Sequence, residues 1–109
     1  MAWTIDSALN NDVLEKVEKT EDGFSIWVKG VPVEIKIIIS VNGERGGFNY
    51  HLSHLIKTPE QFGPYRSSKP WGDDIAYTLH KAVTAITDYY KEAVRAGHKP
   101  LATWLVPNK

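Results

Sequence analysis

"VEIKIIISV", residues 33–41, alternates more regularly than any other stretch of the chain. In a β-strand, successive side chains point to opposite faces. Val33, Ile35, Ile37, Ile39 and Val41 therefore share one face, while Glu34, Lys36, Ile38 and Ser40 take the other. This is the most apolar strand of the sequence and belongs in the middle of a sheet. Upstream, Gly30-Val31-Pro32 interrupts the ladder, because proline has no N–H to donate. Before it, "FSIWVKG" (24–30) sets Phe24, Ile26 and Val28 against Ser25, Trp27 and Lys29. Thr20-Glu21-Asp22-Gly23 reads as a tight turn with glycine in the left-handed position. "VLEKVEK" (13–19) is ambiguous, since Val13 and Val17 fit a helical spacing. A turn that opens on a strand favours a strand before it, so we read a hairpin of 13–19 with 24–29.

Downstream, "NGERGG" (42–47) supplies a flexible hairpin loop, and a strand follows over 47–56. Phe48, Tyr50, Leu52, His54 and Ile56 alternate there with Asn49, His51, Ser53 and Leu55. A helix is predicted over 73–96. Asp73 is its expected N-cap, and Ile75, Leu79, Ala82, Val83, Ile86, Tyr90 and Ala93 form its apolar stripe. Gly97 is placed to end it, with Pro100 beyond. The predicted fold is a single α+β domain over 1–109. It is an antiparallel β-meander of about four strands with one long C-terminal helix packed on one face. The other face carries Trp27, Ile38 and His51 among polar residues, and the expectation is that Trp27 and Ile38 are cross-strand neighbours. Trp3 and Ile5, or Leu101, Trp104 and Leu105, or a second molecule, could cover them.

Composition excludes several functions. The chain has 109 residues and no cysteine, which rules out a disulfide scaffold, a thiol nucleophile and a thiolate zinc site, and suits a reducing cytoplasm. Lys plus Arg and Asp plus Glu each total 13, so there is no basic excess for nucleic acid. The zero hides a mild asymmetry, acidic over 1–30 and basic over 88–109, most simply read as solvated faces. Met1–Asp6 lacks the pattern of a signal peptide, and Ile37–Ile39 is far too short to cross a bilayer. No cofactor, membrane or nucleic-acid partner is expected.

Chemistry is sparse. His51 and His54 lie three apart on a strand and point to opposite faces, so they cannot chelate one ion together. Asp73 and Asp74 beside Glu60 could hold a hard cation, but capping already accounts for Asp73, and no metal site is expected. His98, at the helix end, can complement the helix dipole. Asp73, Tyr77, His80 and Thr84 could share one side of the helix, and Asp, Tyr and His are an acid–base set. No serine elbow, phosphate loop or zinc-protease motif accompanies them. A polar helix face is the commoner explanation, with an exposed His80 of ordinary titration.

"TPEQFGPYRSSKPWGDD" (58–74) is unusual, because it carries three large aromatic residues in a loop. Phe62 and Trp71 are expected to fold back on the core, Trp71 as a hydrophobic staple at the helix start. Tyr65 and Arg66, at the tip, are expected to serve contact. The tail "YYKEAVRAGHKPLATWLVPNK" (89–109) resembles the ends of small uncharacterised bacterial proteins from mobile gene pools, such as integron cassette and phage accessory proteins. The resemblance implies a self-contained bacterial domain and no residue-level role. The leading functional expectation is a non-enzymatic binding module, self-associating through Trp27 and Ile38. The alternative is a small-molecule or peptide binder using loop 58–72 with Tyr65 and Arg66. A small enzyme built on His80, Asp73 and Tyr77 comes third.

Overall fold

The predicted alternation becomes a mixed α+β architecture in the computed structural model, which describes residues 3–108. Met1, Ala2 and Lys109, which enter the leader and charge readings above, lie outside the described residues. Strands β1 (Leu14–Lys19), β2 (Gly23–Val28), β3 (Ile35–Val41) and β4 (Phe48–Leu52) form the antiparallel meander. The ambiguous segment 13–19 is thus a strand, with a bulge between Leu14 and Lys16. A fifth strand, the two-residue β6 (Trp71–Gly72), pairs with β4 and completes the order β1-β2-β3-β4-β6. The long helix α2 (Ile75–Arg95) covers one face.

The strand expected over 47–56 breaks at Ser53. The peptide N–H of Ser53 donates to the Lys36 carbonyl at 2.9 Å, and its hydroxyl accepts from the Lys36 N–H at 2.8 Å. Beyond this kink, β5 (His54–Ile56) pairs with the C-terminal β7 (Leu105–Pro107). Leu55 and Ile56 are consequently both buried, which a simple alternation forbids. Ala102–Trp104 form a 3-10 turn that presents Trp104 edge-on to Tyr90, ring centroids 5.8 Å apart.

The short helix α1 (Ile5–Leu9) is closed by a reciprocal cap between Thr4 and Ser7, and its buried Ala8 allows close approach to α2. The described terminal segments therefore pack on the helical side, Trp3 against His80, Trp104 against Tyr90 and Leu105 in the core cluster, and not on the outer face of the sheet. That outer face differs from the expectation. The β2–β3 register pairs Gly23 with Ile38 and Ser25 with Lys36. Trp27 lies four residues from Gly23, so about 13 Å of strand separates it from Ile38. Ser25 lies between them, fully buried and donating to the Glu34 carboxylate at 2.6 Å. Trp27 is half-buried under its own neighbour, with the Lys16 ammonium 4.8 Å from the ring centroid. Trp27 and Ile38 are not neighbours, and they form no joint apolar patch.

Gly23 also corrects its reading. It does not adopt positive φ. A Cβ there would lie 1.8 Å from the Ile37 carbonyl oxygen, so glycine is required by strand contact and not by turn geometry. Gly97 behaves as expected. With φ of 98° it lets His98 N–H reach the Ala93 carbonyl and its own N–H reach Val94, the paired bonds of a Schellman ending. The core is a continuous cluster in which Ile26, Ile35, Ile37, Leu79, Ala82 and Ile86 are wholly buried.

Candidate functional site

The aromatic loop is built on hydrogen bonds of Gln61. Its side-chain oxygen accepts from Thr58 N–H at 2.9 Å, and its amide nitrogen donates to the carbonyls of Ile56 and Gly63 at 3.1 and 3.2 Å. Gln61 takes the inward position because the turn's backbone needs both a donor and an acceptor. Its neighbour Phe62 is then forced outward and is fully exposed. The expectation that Phe62 packs on the core is therefore wrong. Tyr65 reverses in the opposite sense. Its N–H donates to Ile56, and its ring lies against Tyr89 of α2, centroids 4.7 Å apart. Arg66 is exposed, as expected of a contact residue.

The far end of the loop is anchored as firmly. Tyr50 N–H donates to the Pro70 carbonyl at 3.0 Å. The Lys81 ammonium donates to the carbonyls of Trp71 and Lys69 at 2.7 and 3.2 Å. Trp71 serves the fold, though not as a staple against the helix. Its indole N–H donates to Gly46 at 2.8 Å, its ring packs on Gly47, and the Arg45 guanidinium stacks 4.1 Å above it. It ties the β3–β4 turn to the end of the loop. A third tie joins His98 to the Glu60 carboxylate at 2.8 Å, so His98 reaches across to the loop as well as ending the helix.

Between this pinned loop and α2 lies a groove of about 340 Å³. Tyr50, Tyr65, Tyr89 and Ser67 give it phenol and hydroxyl walls, and Lys81, Asp88 and Glu92 give it charge. Burial pushes the Tyr50 hydroxyl pKa up, and the neighbouring Ser67 hydroxyl pulls the other way. The Tyr89 pKa is raised by burial first, and then by Tyr65 and the Glu92 and Asp88 carboxylates. A smaller adjoining cavity of about 80 Å³ shares Tyr50, Tyr65 and Ser67 and is also lined by His51, Arg66 and Asn108. It opens where the β4–β5 edge is left between β6 and β7.

The proposed acid–base set is not assembled. The N-cap of α2 is Asp74, whose carboxylate accepts from Tyr77 N–H at 2.7 Å; Asp73 lies outside the helix. His80 is half-buried beneath Trp3, rings 3.7 Å apart and nearly parallel, with Tyr77 6.4 Å away. That burial lowers its pKa from the ordinary 6.5, with Asp88 opposing. Its titration is therefore not that of an exposed imidazole. None of the four main cavities among the described residues is lined by His80. No group of three potential metal ligands converges among the described residues, and no helix is long and apolar enough to cross a membrane.

Sequence reasoning singled out Tyr65 and Arg66, of which only Tyr65 lines this groove, and did not single out Tyr50, Tyr89, Asp88 and Glu92, which line it too. Tyr89 sits one position from the buried Tyr90, at the edge of the helix stripe, where the period alone gives no partner. No family model, curated protein or solved structure matches the chain.

Proposed function

We propose that the protein is a non-enzymatic binding module whose ligand occupies the groove between loop 58–70 and α2. The observation that carries this reading is the way the loop is held. Hydrogen bonds from Gln61, Tyr65, Tyr50 and Lys81 fix it at its start, middle and end, and it meets the helix at Tyr65 and Lys81, yet it leaves about 340 Å³ between. A loop ordered at this cost in entropy, without filling the space beside it, suits a preformed site. A cytoplasmic setting fits the cysteine-free sequence.

The test is a fragment screen read by amide chemical shifts. Hits should move Tyr50, Tyr65, Ser67, Ala85 and Tyr89 together. Hits confined to another cavity would overturn the assignment.

A second reading, self-association, moves to a different surface. Ile5, Ile39, Val41, Phe48 and Ile75 line an apolar hollow at one end of the core, where Val41 is 74% exposed. Two copies joined there would bury these side chains on a two-fold axis. Sedimentation of wild type and Val41→Glu decides it: a dimer that becomes a folded monomer supports this surface, and a wild-type monomer removes it.

A further inference from the structure

Asp88 and Glu92 are one helical turn apart on the groove side of α2. Like charges at this spacing repel, and neither forms an ion pair among the described residues. The one cation in the groove, Lys81, is turned into the carbonyls of Trp71 and Lys69. The remaining lining offers acceptors and rings: the phenols of Tyr50, Tyr65 and Tyr89, and the Ser67 hydroxyl. A groove with two unpaired carboxylates beside a tilted tyrosine pair complements a planar cation, which can hydrogen-bond the carboxylates and lie against an aromatic face. It does not complement an anion. The other guanidinium at hand, Arg66, lines only the smaller cavity.

Resting on the binding reading above, we infer that the groove receives an arginine side chain of a peptide, its guanidinium held by Asp88 and Glu92 against the Tyr65–Tyr89 pair. Length argues for a peptide over a free amine. The lining runs from Lys81 to Glu92, about 16 Å along the helix at 1.5 Å per residue. An extended chain can lie along such a trough with one side chain turned in. Burying a guanidinium there also relieves the repulsion between the two carboxylates, a relief that a neutral isostere cannot supply.

The test uses the full chain and three probes: acetyl-Gly-Arg-Gly-amide, its citrulline counterpart and spermidine, with groove amide shifts as readout. Citrulline keeps the shape and loses the charge. The arginine peptide should bind about tenfold tighter than the citrulline peptide, a difference of about 1.4 kcal/mol. The double variant Asp88→Asn/Glu92→Gln changes two exposed positions and should retain the fold; it should abolish that preference. Tyr89→Leu should weaken the arginine peptide by about fivefold, the size expected for a lost cation–π contact. Equal affinities of arginine and citrulline peptides would overturn the inference and leave the groove as a site for neutral ligands. Spermidine binding tighter than the peptide would overturn the peptide source. No groove shift with any probe at millimolar concentration would also overturn it, while the fragment screen judges the groove itself.

Discussion

Replacing a glutamine should harm this loop more than removing its phenylalanine. Phe62 is wholly exposed, so Phe62→Ala deletes a ring that water already surrounds. Its expected effect is within about 0.5 kcal/mol, as for other surface changes. Were Phe62 a core residue, the cost would be about 3–5 kcal/mol. Gln61→Ala removes three hydrogen bonds, one accepted from Thr58 N–H and two donated to Ile56 and Gly63 carbonyls. At about 0.5–1.5 kcal/mol each, their loss amounts to about 1.5–4.5 kcal/mol. Water can reach this half-buried site and replace part of the set, which points to the lower half, about 2 kcal/mol. Urea unfolding at 25 °C measures both. With a slope of about 1–3 kcal/mol per molar, Gln61→Ala should lower the midpoint by about 1 M. Phe62→Ala should leave it within error. A large loss for Phe62→Ala with an unchanged midpoint for Gln61→Ala would refute the account of which residue builds the loop.

Gly23→Ala should destabilise by about 3 kcal/mol, the upper end for overpacking, because the new Cβ meets the Ile37 carbonyl. Gly43→Ala, where a Cβ meets nothing within 4 Å, is the control and should leave the melting temperature unchanged or raise it slightly. The His80 ring should titrate below 6.5 by NMR, and Trp3→Ala should move it back toward that value by rehydrating it. Because the folded value is the lower one, the unfolded chain takes up the proton first. Stability from this group is therefore present above pH 6.5 and is lost as the pH falls below it. Tyr90→Phe should cost about 1 kcal/mol of stability in urea unfolding, since the hydroxyl donates to the Lys29 carbonyl at 2.5 Å.

The meander was legible in the sequence because a one-sided sheet writes its burial into every second residue. Ile35 and Ile37 are wholly buried while Lys36 and Ile38 are exposed, as the alternation requires. The ending of α2 was legible for a similar reason: the left-handed step at Gly97 is a local property that glycine alone satisfies cheaply. Register, by contrast, is a relation between strands. Alternation put Trp27 and Ile38 on the same face, but only the pairing of Gly23 with Ile38 showed them far apart. In the loop, composition marked Phe62, Tyr65 and Trp71 as unusual, but the expected split, Phe62 inward and Tyr65 outward, is reversed in the structure. Which one turns inward was decided by unpaired carbonyls, which drew in the polar Gln61, and by Tyr89, which waits on a helix distant in sequence. The candidate groove has the same origin. Tyr50 comes from a strand, Tyr65 and Ser67 from the loop, and Asp88, Tyr89 and Glu92 from the helix, so no local pattern contains it. The sequence by itself determined the period of each element and where the helix ends, because those depend on neighbours along the chain. Register, loop direction and the groove were decided by tertiary structure, because they depend on neighbours across it.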